Sequence, residues 1–479
     1  MQSKHYDDKP SLDYLFHPNS IAIAGVPPDT TKLASGRLFL ESLIDAGFKG
    51  KIYPVSRDGG EVFGLKIYTS IKDIPDTVDY VISAIPAQHT PQLITDCATK
   101  GVKVIHMFTA GFSEIANKEG AQLEAQIATL ARQKGIRIIG PNCMGLYCPK
   151  TGLAFHPDLP KERGNIGFIS QSGGNAVLAI REAASRGIYF SKVISYGNAS
   201  NLNESDFLEY LIHDPDTEII TAYIEGVKNG TRFSKILKQA TKAKPVIVYK
   251  GGTTESGTRA VASHTGAIAG SGRVWDSLLK QVGAIQVYSV EEMLDILSLF
   301  KYMSPPKGRA TAIIGIGGGN SVLAADDCAN ADLIVPLLPA KIRSSLKEMY
   351  ASETGASFRN PVDMYFDRMD LVQKTIKTVA NCDQIDLLII HITLGFNPKY
   401  EAKLNIIKPY IDSVISASKE INKPTAIVLH PFGLAKFGQT TSEVEALIYK
   451  AGLPVFPSVG QAARATAKFI QYHQGRKVI

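Results

Sequence analysis

The chain has 479 residues, 44% hydrophobic and 20% charged, with a formal net charge of +7. That length suggests about three domains of roughly 150 residues in an ordinary soluble globular protein. The basic residues are scattered with no run of five, so the balance reads as mild attraction for anionic small molecules and excludes a nucleic-acid surface. The five cysteines include no CxxC pair, and no segment has the roughly 18 apolar residues of a membrane span or the apolar core of a signal peptide. The expected setting is a reducing cytoplasm.

In chain order, short apolar runs alternate with amphipathic stretches. Strands are expected at 20–25 (SIAIAG), 51–55, 78–85, 102–108 and 136–139, with helices between them at 91–100 and 119–134. Near-continuous apolar strands separated by helices indicate a parallel α/β sheet covered on both faces. A linker at 146–164 carries Pro149, Pro157 and Pro160. A second unit opens at 165–180 (NIGFISQSGGNAVLAI), continues with strands at 192–196, 219–224 and 245–249, and closes with a helix at 290–300. A second proline-bearing linker, 304–309, precedes a third unit that starts at 310–326 (ATAIIGIGGGNSVLAAD). The resulting divisions are 1–148, 149–303 and 304–479.

The second and third units share a repeat. GGNAVLA at 173–179 recurs as GGNSVLA at 318–324, and KPVIVYKGG from Lys244 is echoed by KPTAIVLHPFG from Lys423. YSVEEML (288–294) and FPSVGQAAR (456–464) correspond loosely, and the shared order suggests two related doubly wound domains.

A strand, a glycine turn and a helix make an anion site, because free N–H groups and the positive end of the helix dipole face the ligand. Ser172, Gly173, Gly174 and Asn175 form one such turn, and Gly318, Gly319, Asn320 and Ser321 the other. The competing reading is a tight turn that binds nothing. The first strand opens like a dinucleotide fold, but AGVPPDTTKLASGR lacks GxGxxG, which counts against a nicotinamide dehydrogenase. Cys143 in GPNCMG has no base paired with it in the sequence and reads as a small buried residue. Glu225 in YIEG ends an apolar strand, where ligands of parallel sheets bind. His264 lies in a stretch of small residues, VASHTGAIAG, read as a loop. Little there would pack an imidazole, and no further metal ligands are spaced around it, so no metal site is expected. The surroundings suit a nucleophilic histidine that carries a transferred phosphoryl group.

IYPVSRDGGEVFG, GIRIIGPNCMGLY, GNIGFISQSGG, YIEG and SHTGAIAG occur in order along the chain. In this combination the chain resembles the α subunit of ADP-forming (NDP-forming) acyl-CoA synthetases, relatives of succinyl-CoA synthetase, over nearly its whole length. The resemblance implies a Rossmann-like CoA-binding domain followed by two flavodoxin-like doubly wound domains. It implies that His264 is phosphorylated, that Glu225 orients it, and that the two glycine helix starts cradle the phosphoryl group. CoA contacts are implied at Gly25, Ser35, Gly36, Arg37, Arg57, Ile85, Pro86, Ala87, Phe108, Thr109, Ala110 and Asn142. The implied reaction interconverts acyl-CoA, ADP and phosphate with a small carboxylic acid, ATP and CoA. No ATP-grasp segment or P-loop is present in the sequence. The resemblance therefore implies an ATP-grasp β partner, as α2β2, that brings ATP/ADP and Mg²⁺, with the His264 loop swinging between two sites. The competing class is a non-catalytic CoA-binding regulator of the same fold. Two departures stand out: the long VPPDTTKLASGR turn, and Asn201 where relatives commonly carry an aspartate.

Overall fold

The computed structural model describes residues 12–31, 34–265, 271–315, 318–350, 358–363, 369–394, 404–431 and 438–476. The first strands are β1 (Ser20–Ala24), β2 (Lys51–Val55), β3 (Gly60–Val62), β4 (Leu65–Ile67), β5 (Tyr80–Ser83), β6 (Val104–Met107) and β7 (Arg137–Ile139). β3 and β4 pair as an antiparallel hairpin that the sequence reading missed. The other five form a parallel sheet in the order β2-β1-β5-β6-β7. Side chains such as Ala22, Val81, Ile105 and Ile138 are fully buried in its core. Apolar residues on consecutive positions let both faces be covered by helices, which is why these strands read as unbroken runs.

The second sheet contains β8 (Gly145–Tyr147), β9 (Ile166–Ser170), β10 (Phe190–Ser195), β11 (Ile219–Ile224), β12 (Val246–Lys250) and β13 (Ile285–Val287), in the order β13-β12-β11-β9-β10-β8. β8 is antiparallel to β10; the other pairs are parallel. In order of appearance the parallel strands run 2-1-3-4-5, the flavodoxin-like winding. The third sheet, β14 (Thr311–Gly315), β15 (Val362–Asp363), β16 (Leu387–Leu394), β17 (Thr425–Pro431) and β18 (Val455–Phe456), repeats that winding as β15-β14-β16-β17-β18.

The chain clusters into two compact units where three segments were expected. One comprises Met1–Ala184 with Tyr189–Val290, the other Ser185–Ile188 with Glu291–Ile479. Two expected boundaries shift for visible reasons. Residues 145–147, placed at the end of the first segment and the start of the linker, add an edge strand to the second sheet. The Val290–Tyr302 helix, read as closing the second segment, clusters from Glu291 onward with the second unit. There Lys468 pairs with its Glu292 at 2.5 Å, and Phe469 packs edge-on to Phe300 at 5.1 Å.

Within the first unit, buried polar side chains join the two sheets. The Asn198 amide donates to Glu114 Oε2 at 2.6 Å and Glu124 Oε2 at 2.9 Å. Asn201 Oδ1 accepts the Ile138 N–H at 3.1 Å, and Ser195 Oγ accepts the Met144 N–H at 3.0 Å. The departure at Asn201 thus fills a structural position, which needs only an oxygen acceptor. Among the described residues no helix is long and apolar enough to cross a membrane.

Candidate active site

At the carboxyl edge of the second sheet, β9 and β11 lie at the point where strand order reverses, so their trailing loops open a crevice. Ser170, Gln171 and Ser172 follow β9 into the Gly173–Ser185 helix. The Ser172 hydroxyl accepts the Asn175 N–H at 3.3 Å. The two glycines at this turn differ in reason. A Cβ on Gly173 would sit 2.5 Å from Met144 Cγ, whereas a Cβ on Gly174 would meet nothing closer than 4.0 Å. Gly173 is a packing requirement. Gly174 leaves the helix start open, the arrangement that an approaching anion uses.

Across the crevice, Glu225 follows β11 and is 4% exposed. Tyr223 donates its hydroxyl hydrogen bond to Glu225 Oε1 at 3.1 Å. The Asn175 side chain in turn hydrogen-bonds to the Tyr223 hydroxyl. Burial, reinforced by the neighbouring Glu225 charge, pushes the Tyr223 phenol well above its ordinary range. Asn175, Tyr223 and Glu225 therefore form one connected polar chain from the helix start to the carboxylate. Lys250, at the end of β12, is 3% exposed and donates to the Glu225 carbonyl at 2.8 Å. Burial lowers the Lys250 ammonium to about 8, against the raising influence of Glu225.

His264 was read as part of a loop. Its backbone instead lies in the last turn of the Glu255–Thr265 helix. Between Gly257 and Gly266 the sequence has neither glycine nor proline to stop a helix, and small residues such as Ala260 and Ala262 favour one. This helix packs against the Ser113–Ile115 turn, the turn whose Glu114 is gripped by Asn198. The His264 side chain and residues 266–270 lie outside the described residues.

The second glycine turn belongs to the other unit. There Ser321 Oγ donates to Asp363 Oδ1 at 3.0 Å, and a Cβ on Gly319 would meet nothing within 4 Å.

The first sheet has its own carboxyl-edge crevice, between β1 and β5. Gly25 has φ +103°, and a Cβ on it would lie 2.5 Å from the Ala84 carbonyl oxygen. A Cβ on Gly36 would lie 2.3 Å from the Gly25 carbonyl oxygen, so two glycines let the Ser35–Asp45 helix abut the strand end. The Ala34 N-cap offers that helix start no side-chain acceptor. Thr109 Oγ1 donates to the Ile85 carbonyl at 2.9 Å, and its backbone carbonyl accepts the Asn142 N–H at 3.0 Å. Gly25, Ser35, Gly36, Ile85, Pro86, Ala87, Phe108, Thr109, Ala110 and Asn142 thus all trail the same sheet edge. Two expected contacts fare differently. Arg37 pairs with Glu41 at 3.2 Å and donates to the Thr30 carbonyl. Arg57 is exposed after β2. Cys143 is buried, donates to the Met107 carbonyl at 3.6 Å, and has its thiol raised by burial, as expected of a packing residue.

Sequence reasoning missed Gln171, Tyr223 and Lys250. Lys250 carried the same signal as Glu225, a charged residue ending an apolar strand.

Comparison with known proteins extends these observations. The CoA binding domain family matches residues 19–149, and the succinyl-CoA ligase like flavodoxin domain family matches residues 163–300. The Pyrococcus furiosus acetate–CoA ligase [ADP-forming] II subunit alpha is 34% identical over 465 residues, covering 96% of this chain and 97% of that protein. The I subunit alpha from the same organism is 37% identical over 74% of this chain and 76% of its own length. A solved structure of the Ca. Korarchaeum cryptofilum dinucleotide forming acetyl-coenzyme A synthetase 1, in complex with phosphate and ADP, has a TM-score of 0.80 at 29% identity and covers 97% of both chains.

Proposed function

The chain belongs to the family of ADP-forming CoA ligases, and from that premise we propose that it stores a phosphoryl group on His264 during acyl-CoA and acid interconversion. The observation that carries the reading is Glu225, a buried carboxylate at the sheet's carboxyl edge, joined through Tyr223 and Asn175 to an open helix start. A carboxylate at one imidazole nitrogen fixes the tautomer and supports positive charge, which leaves the other nitrogen to attack phosphorus. The helix start at Ser172–Asn175 supplies N–H groups and a positive dipole for the transferred charge. Gly318, Gly319, Asn320 and Ser321 are proposed to offer a second phosphate-binding turn.

In the proposed sequence a phosphate oxygen attacks the acyl-CoA carbonyl carbon, the C–S bond breaks, and CoA leaves as its thiolate or thiol. The His264 nitrogen attacks the acyl phosphate at phosphorus, and the P–O bond breaks to release the carboxylate. ADP then takes the phosphoryl group from His264 as the P–N bond breaks, giving ATP. CoA fits the first crevice through the Ser35–Asp45 helix start and the strand ends at Gly25, 85–87, 108–110 and Asn142. An ATP-grasp β partner, in an α2β2 assembly, is proposed to hold ADP and Mg²⁺, with the His264 segment moving between the two sites. The proposed division of labour keeps CoA with the first sheet and phosphoryl transfer with the second and third, in the cytoplasm.

The test is intact-protein mass after mixing with the ATP-grasp partner, Mg²⁺ and ATP at neutral or alkaline pH, because phosphohistidine is acid-labile. The expected result is a phosphoryl adduct that is absent from His264→Ala. No adduct in a folded complex with an active ATP site would identify a CoA-binding regulator instead.

A further inference from the structure

The loop that carries Glu225 is gripped through its backbone. Gln171 Oε1 accepts the N–H groups of both Glu225 and Gly226, the latter at 2.9 Å. Lys250 Nζ donates to the Glu225 carbonyl at 2.8 Å and to the Gly251 carbonyl. Its ammonium also lies 5.3 Å from the centre of the Trp275 ring. Gln171 and Lys250 are each 3% exposed. Burying an ammonium is costly unless its donors are used. Here they are spent on the two carbonyls that end adjacent strands.

The internal repeat supplies an independent control. Strand register sets Ser170 opposite Tyr223, and Ile224 opposite Lys250. In the third sheet Ile314 faces Ile390, and Ile392 faces Leu429. Aligned on the two GGN turns, Gln171 corresponds to Ile316, Glu225 to Thr393, and Lys250 to Leu429. The glycine turn is kept in both copies, while the glutamine, the glutamate and the lysine are replaced together. The three positions differ together between the copies, and in the first copy Gln171 and Lys250 both bond the backbone of Glu225, which points to one device.

We infer that Gln171 and Lys250 are positioning residues that hold the Glu225 carboxylate where it orients the phosphorylated histidine. The inference rests on the reading of Glu225 as that orienting acid. Lys250 supplies the donors at the carbonyl side of Glu225, and Gln171 the acceptor at its amide side. Without either, the strand end can rotate and the carboxylate loses its place.

The experiment uses the purified chain with acetyl phosphate as phosphoryl donor. Transfer forms the P–N bond at His264, breaks the P–O bond to the acetyl group and releases acetate. The rate of adduct formation is followed by intact mass at neutral pH. Gln171→Leu and Lys250→Met are each expected to slow the rate by about tenfold to a hundredfold, as small misplacements of catalytic groups do. Gln171→Glu keeps an oxygen acceptor and should stay within about threefold of the parent. CoA-induced thermal stabilisation should be unchanged in all three, which separates positioning from unfolding. In a double-mutant cycle, Gln171→Leu combined with Glu225→Gln should be no slower than Glu225→Gln alone. Multiplicative slowing in that cycle, or parental rates in both Gln171→Leu and Lys250→Met beside a slow Glu225→Gln, would overturn the positioning role. A parental rate in Glu225→Gln itself would instead remove the reading of Glu225 on which the inference stands. Should Lys250→Met fail to fold, Gln171→Leu against Gln171→Glu still decides the matter.

Discussion

The turns at Gly173 and Gly318 share a sequence, a strand winding and a helix start, yet different polar side chains surround them. Beside the first, Asn175, Tyr223 and Glu225 form a hydrogen-bonded chain with Lys250 behind it. Beside the second, Ser321 bonds to Asp363, and the registers that hold Tyr223 and Glu225 hold His391 and Thr393. Thr393 is 2% exposed, and its Oγ1 has no hydrogen-bond partner among the described residues. The glycine pair is therefore a property of the shared fold, opening a helix in both copies. The proposed orienting of the imidazole belongs to the first copy, where Glu225 follows the strand that in the second copy carries Thr393 at the same register; the second copy's buried carboxylate, Asp363, ends a different strand and accepts from Ser321.

The strongest way to break this contrast is to remove the chemistry from the copy proposed to have it. His264→Ala should abolish the phosphoryl adduct while CoA-induced thermal stabilisation persists. Glu225→Gln should slow adduct formation by about a hundredfold, the usual scale for losing a positioned acid–base group. Loss of CoA binding in parallel with phosphorylation would show that His264 serves the fold instead.

A second contrast sets the units side by side through one buried histidine each. Burial strips water from the His106 imidazolium and lowers it to about 4; His391 is lowered to about 4 by burial, with His430 adding repulsion. The unfolded chain takes up these protons near pH 6.5, whereas the folded units resist until about pH 4. Stability is thus full above pH 6.5 and is lost as the pH falls from there toward 4. The expected loss is about 3 kcal/mol per histidine at most. Urea midpoints measured across that window should fall in both units, and His106→Gln should flatten the slope in the first alone. Equal slopes before and after the substitution would show that other groups carry the acid sensitivity.

Much of this contrast was legible in the sequence. The strands at 51–55 and 219–224 were readable to the residue, because each is a short, mostly apolar run bounded by glycine or polar residues. Glu225 stood out as a charge ending such a run. The β3–β4 hairpin and β8 were not legible: each strand is three residues long, and β8 opens a proline-bearing stretch that reads as linker. His264 was read into a loop because small residues were taken for flexibility, although alanine and serine between distant glycines carry a helix. Gln171 and Lys250 escaped because both bond the backbone at Glu225, beyond the end of another strand, and only register brings those groups together.

The two glycines of the first turn sharpen the comparison further. Gly173→Ala drives a Cβ to 2.5 Å from Met144 Cγ and should destabilise the first unit by about 1–3 kcal/mol, the range for overpacked cores. Gly174→Ala meets open space, so the fold should gain up to about 1 kcal/mol from better helix propensity. If an anion approaches this helix start, Gly174→Ala should nonetheless slow adduct formation. Gly319→Ala, equally open, reports whether the second turn contributes on the same terms.

The smallest expected effect concerns Thr393, which occupies the register of Glu225 in the other copy. A buried hydroxyl without a partner costs free energy relative to a methyl of the same shape. Thr393→Val should therefore stabilise the second unit by about 1 kcal/mol, read as a shift in its urea midpoint, and leave adduct formation at the parental rate. A fall in that rate with a stable fold would mean that the hydroxyl is used during the reaction. The second copy would then contribute chemistry of its own, and the division drawn between the two turns would have to move from Glu225 to the pair of registers together.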